Sequence, residues 1–219
     1  MASVSRPPSE RARVRRRAQR GAYDFETIAA ILDEALVAHV GYCAEDGSPV
    51  VIPTAYGRAG ETLYLHGAVA GAWHRAFASG VPVCVTVTLL DGLVLARSTF
   101  HHSMNYRSVV IFGRAEPVEE PHEKTEALER IVEHIVPGRS QHARGPTKEE
   151  LDATLVLRLS LAEASAKIRT GPPIDDEADL ALPIWGGVVP VTEEFGEPET
   201  DPLVPPGVAI PEHVRNYGR

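Results

Sequence analysis

The sequence contains little that could form covalent crosslinks. Only two of its 219 residues are cysteines, Cys43 and Cys84. Two thiols form neither a disulfide framework nor a CxxC pair, which excludes the small secreted proteins that depend on disulfides. A chain of this length buries roughly 70% of the surface that its unfolded form exposes, so it needs no such crosslinks. The composition predicts one domain, or two small ones, in a reducing, cytoplasmic compartment.

Long hydrophobic runs are also missing. No stretch of 18 consecutive apolar residues occurs, so no transmembrane helix is expected. The N-terminal segment is rich in arginine but lacks the apolar region of a signal peptide, because Gly21-Ala22-Tyr23-Asp24 follows it. We therefore expect no contact with a membrane.

Several common catalytic signatures are absent. The sequence has no GxSxG, HExxH, Walker or Rossmann motif, so the serine hydrolase, zinc protease and nucleoside-triphosphatase classes lose support. His101 and His102 are adjacent, but neighbouring residues of a strand point to opposite faces and no third ligand lies at a familiar spacing. No metal site is predicted.

The charges are distributed unevenly. The formal net charge is -8, yet residues 1–20 hold seven arginines against one glutamate, a net of +6. Residues 171–219 hold ten acids against two arginines, a net of -8, and nine of the 18 prolines. A uniformly basic nucleic-acid-binding protein is excluded, although a basic arm is not. We predict a basic, disordered arm over 1–20, a domain over 21–170, and an acidic extension over 171–219 that packs partly on the domain.

The periodicity of apolar residues predicts one leading helix followed by strands. Asp24 is a good N-cap for an amphipathic helix over 24–38. Strands are predicted over 39–43, 49–56, 62–65, 81–90, 93–100 and 106–118, mostly joined by tight turns such as Asp91-Gly92. An antiparallel barrel closes such a meander without open edges. The predicted fold is therefore mainly β with flanking helices, built on a six-stranded antiparallel barrel.

Helical signals recur outside these strands. A short helix is predicted over 71–79, and Pro121 begins another that Pro137-Gly138 ends. Thr147 and Glu150 form a capping-box pattern before a further helix, and 154–160 alternates as a strand.

Two segments have chemistry suited to a bound cofactor. His66-Gly67-Ala68 ends a predicted strand before the helix that carries Arg75, an arrangement that suits a phosphate. Pro53 inside a strand indicates an edge or bulge, where free backbone groups can hydrogen-bond a flat heteroaromatic ring. An ordinary strand-to-helix loop and an unliganded edge strand have the same patterns.

The number and order of these segments resemble one protein family. The matching segments are the helix over 24–38, then 51–56, 63–68, the helix with Arg75, 83–88, 106–113, 167–172 and 183–190. They resemble the pyridoxamine 5'-phosphate oxidase-related flavin-nucleotide-binding proteins, in particular the branch that includes the nitroimidazole-resistance proteins. The resemblance extends from about Gly21 to Pro190.

The resemblance implies a split β-barrel and a homodimer with FMN at the dimer interface. The strand whose backbone borders the isoalloxazine ring corresponds to Pro53, Thr54, Ala55 and Tyr56. The turn beside the ribityl phosphate corresponds to His66, Gly67 and Ala68, and a basic residue of the next helix corresponds to Arg75. The strand that the partner subunit offers corresponds to the one with Tyr106 and Ser108. His66 also matches the histidine implicated in the nitroimidazole-resistance branch, so we expect it to be the reactive group.

Three residues, Trp185, Ala72 and Trp73, bear on how tightly FMN would be bound. Trp185 suits either a cover over the flavin ring or an anchor for the tail. Ala72 and Trp73 stand where many family members place lysine or arginine to hold the FMN phosphate. A missing charge-assisted hydrogen bond is worth about 1.5–3 kcal/mol, or roughly tenfold to a hundredfold in affinity. We therefore expect FMN to be held loosely, a different ligand to be bound, or the protein to be isolated without a ligand.

Two classes of function follow. The leading hypothesis is an FMN-dependent oxidoreductase, in which reduced flavin passes hydride or electrons to a small-molecule acceptor. The alternative is a non-catalytic flavin or haem binding protein, with His101 or His102 as an axial ligand, or a regulator that uses the basic arm on nucleic acid. Residues alone do not distinguish FMN from a deazaflavin.

Overall fold

The computed structural model describes residues 6–69, 77 and 80–218. The strands are β1 (Gly21–Ala22), β2 (Ala38–Cys43), β3 (Pro49–Thr54), β4 (Tyr56–Ala59), β5 (Thr62–Ala68), β6 (Pro82–Leu95), β7 (Ser103–Arg114), β8 (Glu116–Pro117), β9 (Thr154–Ser160), β10 (Ala164–Arg169) and β11 (Gly187–Pro190). The helices are α1 (Phe25–Glu34), α2 (Pro121–Ile135), α3 (Lys148–Ala153) and α4 (Glu212–Arg215), with 3₁₀ turns at Ala18–Arg20, Thr99–His101, Ser140–His142, Leu161–Glu163 and Glu177–Asp179. The helix predicted over 71–79 lies outside the described residues, apart from Phe77.

The strands form two sheets. Seven lie in one sheet, in the order β1-β10-β7-β6-β2-β3 with β11 beside β6, and four lie in the other, in the order β4-β5-β9-β8. Every strand pair with a defined register is antiparallel. The predicted fold class, mainly β with flanking helices and of the split-barrel type, is confirmed. The strand count differs from the prediction in three ways: 49–56 and 106–118 each divide in two, 81–90 and 93–100 join in β6, and β1, β10 and β11 were not predicted.

The chain divides into two compact units. The first contains Met1–Ala35, Val85–Phe112 and Glu163–Glu193, and the second contains Leu36–Cys84, Gly113–Ala162 and Glu194–Arg219. Neither unit is continuous in sequence, in contrast to the three consecutive segments expected from composition. Among the described residues, no helix combines the length and the apolar character that a membrane span requires.

In the first unit, α1 begins where the sequence predicts. The Asp24 carboxylate accepts a hydrogen bond from the Thr27 amide at 2.8 Å, and its hydrogen bonds with Thr27 lower the pKa of Asp24. Apolar residues of α1, β6, β7 and β10 form the core of this unit: Ile28, Ile31, Leu32, Val85, Val87, Val94, Val109, Ile111, Ala164 and Ala166. The helix ends at Glu34 rather than near residue 38, because Ala35 is extended with φ -80° and ψ 148°.

Arg107 connects three elements of the first unit. Its Nη2 atom lies 2.7 Å from Asp91 Oδ1 and 2.7 Å from Glu34 Oε1, and its Nη1 atom also contacts the Glu34 carboxylate. Hydrogen bonding to Arg107 lowers the pKa of Glu34, and the two carboxylates raise the pKa of Arg107. The guanidinium on β7 therefore fixes the end of α1 and the Asp91 region of β6.

The predicted hairpin turn at Asp91-Gly92 is wrong, because β6 runs without a break through both residues. Gly92 instead lies opposite Pro190 in β11, and a Cβ atom there would lie 2.9 Å from Val188 Cγ1. The glycine thus allows the close approach of a neighbouring strand rather than a change of chain direction.

Residues 6–20 pack on other residues of the first unit, in contrast to the disordered arm expected from their charge. Ala12 is only 2% exposed, and Arg11 forms an ion pair with Glu163. The Arg11 guanidinium also lies 5.6 Å from the centroid of the Phe112 ring. Apolar burial and these contacts hold a segment that composition alone assigned to solvent.

In the second unit, α2 packs on β4. A Cβ atom at Gly57 would lie 2.7 Å from backbone atoms of Arg130 and Ile131, so only glycine permits this approach. The capping box of Thr147 and Glu150 forms at α3 as predicted. Leucines, valines and other apolar side chains fill this core: Leu63, Leu65, Val83, Val118, Ala127, Ile131, Leu155, Val156, Leu157 and Leu159.

The Arg107 contacts give a stability prediction. Arg107→Lys keeps one positive charge but removes the planar fork that reaches both carboxylates, so we expect it to lower the free energy of unfolding by about 1.5–3 kcal/mol. Urea denaturation measures this loss. The matched control is Arg144→Lys, which alters an exposed pair with Glu150 and should change stability much less. Equal losses in the two variants would contradict a special role for Arg107.

Candidate functional site

His66 lies within β5 rather than after it. The predicted strand ended at residue 65, but His66, Gly67 and Ala68 continue the ladder with β9, where His66 lies opposite Val156. The pairing extends the strand because the β9 backbone supplies partners that local sequence does not reveal. All three residues therefore have fixed backbone positions at the end of a sheet strand.

The environment of His66 favours a neutral imidazole. Its Nδ1 atom is buried and has no hydrogen-bond partner among the described residues, and burial lowers the pKa of His66. An unpaired N–H group in the interior costs more than an unpaired lone pair, so we place the proton on Nε2. Because the side chain is only partly buried, His66 can then donate one hydrogen bond to a bound group.

The segment Pro53-Thr54-Ala55-Tyr56 spans the division between β3 and β4 rather than one strand. Pro53 is exposed on β3, which is the last strand of the seven-stranded sheet, as the proline predicted. Tyr56 is fully buried, and its ring lies 4.5 Å from that of His134. Only the backbone of Tyr56 is available to a ligand. Because Tyr56 pairs with Leu65, Ala55 and His66 lie at the same end of the β4-β5 pair.

Tyr106 and Ser108 lie on one face of β7 in the first unit. Alternate residues of a strand share a face, so both are opposite the buried face of Val109 and Ile111. The Ser108 hydroxyl donates to the Lys167 carbonyl at 3.2 Å. These two predicted residues are thus brought together on one surface.

Arg169, which the sequence analysis did not assign to the site, lies opposite Tyr106 in β10. It is 4% exposed, donates to the carbonyls of Gly171 and Pro172 at 3.3 and 3.2 Å, and also contacts the Asn105 amide oxygen. None of its described partners is a carboxylate, and burial together with nearby Arg20 lowers the pKa of Arg169. The 167–172 fragment was recognisable, but the burial of this cation could not be read from it.

Trp185 lies in the tail, where its ring folds against Gly187 and is 66% exposed. It is therefore not an anchor buried in the core. The tail is held instead by the β11 pairing and by Asp175, which accepts hydrogen bonds from the Arg97 amide at 2.7 Å and guanidinium at 2.8 Å. The exposed indole remains available to cover a flat ligand.

The two adjacent histidines have different partners. His101 ends a 3₁₀ turn, and its Nε2 atom lies 3.2 Å from Asp176 Oδ2. His102 Nδ1 lies 3.0 Å from the Ser98 carbonyl oxygen, which only accepts, so Nδ1 carries a proton. In the neutral form of the ring, the lone pair is therefore on Nε2. Within the described ranges, no three His, Cys, Asp or Glu side chains come together as a metal-ligand set.

The predicted phosphate contacts on the helix expected over 71–79 lie outside the described residues. Arg75 lies outside the described residues, as do Ala72 and Trp73, the two positions that depart from the family pattern.

The sequence profile of the pyridoxamine 5'-phosphate oxidase family matches residues 24–168. The chain belongs to this family. Its solved relatives include the flavocytochrome Anf3 from Azotobacter vinelandii, at 44% identity over 96% of this chain and 97% of that one, with a TM-score of 0.90. No curated protein matches the chain.

Two further solved structures place this family member among known relatives. An FAD and haem binding protein from Mycobacterium smegmatis is 38% identical over 90% of this chain and 96% of its own, with a TM-score of 0.84. A protein assigned to 5-nitroimidazole antibiotic resistance in Bacteroides thetaiotaomicron is 25% identical over 68% of this chain and 86% of its own, with a TM-score of 0.57. The predicted family is confirmed, including its likeness to nitroimidazole-resistance proteins.

Burial of His66 gives a prediction of pH dependence. Its folded pKa lies below its unfolded value of about 6.5, so the unfolded chain binds the proton more readily and stability falls as pH decreases through that range. When the pH is lowered from about 7.5 to 5.5, we expect the free energy of unfolding of His66→Gln to fall less than that of the wild type. Urea denaturation at each pH measures both values. The control His122→Gln makes the same substitution at an exposed histidine and so measures the effect of the change away from the buried site. Identical pH dependence in all three proteins would contradict a buried neutral His66.

Proposed function

We propose that the chain is a flavin-binding oxidoreductase that acts on a small-molecule acceptor. Family membership supports the flavin, and the observation that carries the proposal is His66, a neutral donor with an orphaned buried Nδ1 at the end of β5. Flavin nucleotides offer carbonyl, hydroxyl and phosphate oxygens that accept such a hydrogen bond, so the residues present fit this group. When bound, the flavin supplies the hydride or electron transfer.

The chain's own residues have defined tasks in this proposal. His66 donates from Nε2 to the flavin or to the acceptor, and the exposed Pro53 edge leaves backbone groups for the ring. By the resemblance, a partner subunit would offer its Ser108 face of β7 to the flavin, and the exposed Trp185 is suited to cover a flat ring. FMN is the flavin that the resemblance implies, although the Mycobacterium smegmatis relative binds FAD.

We also propose that the protein is a homodimer. Strand β3 is at the edge of its sheet, and its Val51 side chain is 65% exposed. An exposed apolar edge strand favours association with another copy. Neither Cys43 nor Cys84 forms a disulfide among the described residues, which supports a reducing, cytoplasmic compartment.

Reconstitution tests the flavin proposal. The wild type should bind FMN or FAD, detected by quenching of flavin fluorescence, and anaerobically reduced protein should be reoxidised by small acceptors such as nitroaromatics. We expect His66→Ala to weaken flavin binding about tenfold, because it leaves a hydrogen bond to the ligand unmade, and His66→Gln to restore much of it. A wild type that binds neither flavin would refute the proposal.

Haem binding is a second candidate function, favoured by His102. A ligating histidine commonly donates its other ring N–H to a backbone carbonyl, which fixes the ring and presents the free nitrogen to the metal. His102 has this arrangement with Ser98, and the neighbouring Phe100 and Met104 are 88% and 50% exposed, apolar surface of the kind that a porphyrin covers. The Azotobacter vinelandii relative is a flavocytochrome and the Mycobacterium smegmatis relative binds haem.

A pair of histidine variants tests this second function. His102→Ala should weaken haem binding by about a hundredfold and shift the Soret band, since even the loss of a ligand's outer hydrogen-bond partner costs about 10–100-fold. His101→Ala is the matched control and should retain the wild-type spectrum, because His101 is bound to Asp176. An unchanged Soret band in His102→Ala would exclude His102 as the ligand.

A further inference from the structure

A cavity lies within the basic N-terminal segment of the first unit, and the proposed flavin function makes no use of it. Its volume of about 610 Å³ lies within the range of about 300–1,000 Å³ that small-molecule sites occupy. The charged residues of its lining are Arg6, Arg13, Arg15 and Glu10. Three cations against one anion leave a net charge of +2, so the lining is suited to an anion.

The single acid of the lining neutralises these arginines only in part. Glu10 lies 2.7 Å from Arg13 and 3.9 Å from Arg15, and all three side chains are at least 50% exposed. Exposed ion pairs of this kind contribute little to stability, so a bound anion can replace them. Within the described part of the chain, the other ion pair of this segment belongs to Arg11, which leaves Arg6 with none.

The segment is held in place by contacts that do not neutralise the lining. The Val14 amide donates a hydrogen bond to the Tyr23 hydroxyl at 2.9 Å, which fixes one wall of the cavity. A Cβ atom at Gly21 would lie 3.0 Å from Val14 Cβ and 3.2 Å from Tyr23 Oη, so glycine permits this close approach. Arg11, which does not line the cavity, pairs with Glu163 of the same unit. The cavity is therefore formed by the fold itself.

The backbone beside the cavity is strained. Among the described residues, Arg17 is the one residue other than glycine with a positive φ, at 57° with ψ 53°. Its carbonyl accepts a hydrogen bond from the Arg20 amide at 2.9 Å and so closes a 3₁₀ turn that begins with Ala18, a lining residue. Such strained residues persist only where other contacts enforce them, and they are frequent at ligand sites. The turn at Arg17 brings Ala18 and Arg15 to one cavity.

We propose that this cavity binds a compound with two or three linked phosphates, as a ligand separate from the flavin. The guanidinium fork of arginine matches phosphate oxygens with paired hydrogen bonds. Linked phosphates reach more than one guanidinium and carry enough negative charge to offset the net +2 of the lining. Pro7, Val14 and Ala18 add apolar surface on which a nucleoside can pack, so the phosphates belong either to an inorganic polyphosphate or to a nucleotide.

The proposal goes beyond the flavin function. All the lining residues belong to the first unit, whereas His66 and Pro53 belong to the second. The site is therefore complete within one unit and needs no flavin for its formation.

Calorimetric titration of the full chain with orthophosphate, pyrophosphate, tripolyphosphate and ATP, at one fixed ionic strength, tests the proposal. We expect pyrophosphate and tripolyphosphate to bind about tenfold more tightly than orthophosphate, because they reach at least one more charged donor. Arg6→Gln should weaken their binding about tenfold to a hundredfold, the value of one charge-assisted hydrogen bond. Glu10→Gln should strengthen it, because this change removes the acid that competes with the ligand.

Each variant has a matched control. Arg16→Gln and Glu26→Gln make the same changes of charge at exposed residues of the same unit outside the cavity. Solvent screens charges at such positions, so both controls should alter the affinities much less. Thermal unfolding verifies that all four variants fold, and pyrophosphate should raise the unfolding temperature of the wild type.

The outcomes separate this inference from the flavin function. ATP binding tighter than that of tripolyphosphate would assign the cavity to a nucleotide, and equal affinities would assign it to the phosphate chain alone; both support the proposal. Equal affinities for orthophosphate and pyrophosphate would overturn it, as would equal weakening by Arg6→Gln and Arg16→Gln, which shows only a general positive field. A wild type that binds pyrophosphate but neither flavin would fail the proposed function and leave the cavity supported.

Two further arms exclude other ligands. Loss of pyrophosphate binding in protein saturated with FAD would make the cavity part of the flavin site and would refute a separate ligand. A single-stranded oligonucleotide that binds more tightly than ATP, and that Arg16→Gln weakens as much as Arg6→Gln, would assign the segment to nucleic acid and overturn the proposal.

Discussion

The Arg107 guanidinium between two carboxylates is the contact on which the arrangement of the first unit depends. A permanently charged, planar cation hydrogen-bonds the carboxylates of both Glu34 and Asp91, and this hydrogen bonding lowers the pKa of Glu34. Their attachment fixes the end of α1 over β7 and keeps β6 extended through Asp91. Only an extended β6 offers Gly92 to β11, so the attachment of the acidic tail depends on the same ion-pair network.

Local signals in the sequence predicted the elements whose boundaries are set locally. Asp24 and the Thr147–Glu150 capping box mark helix starts because they satisfy backbone N–H groups within one turn. Pro121 marks another because it has no N–H group that needs a partner there. The predictions failed where distant strands decide. Asp91-Gly92 has the sequence of a hairpin turn, yet Arg107 and β11 hold it extended, and β9 extends β5 through His66. Such long-range pairings leave no mark in the composition of the segment that they change.

The sequence predicted which positions belong to the candidate site, but not how deeply their side chains are buried or which hydrogen-bond partners they have. Pro53 does mark an edge strand, and Tyr106 and Ser108 do share a face. The orphaned Nδ1 of His66 depends on burial by other elements, as does the buried cation of Arg169, so neither could be read from neighbouring residues. The same holds for Tyr56, which was expected to contact a ligand through its backbone, because the burial of its side chain beside His134 depends on a distant helix.

The basic N-terminal segment and the acidic extension are not paired with each other in the described structure. Within the described residues, the ion pairs of residues 6–20 reach only Glu10 and Glu163, although the acidic extension belongs partly to the same unit. Two of the acids in that extension are instead used at Arg97 and His101, where they order the turn that carries His102. In the fold, Asp175 and Asp176 are therefore paired beside the histidines, while most arginines near β1 and β10 have no acidic partner among the described residues. Because repulsion between unpaired arginines opposes folding, an anionic ligand on that side would stabilise the chain as well as bind to it.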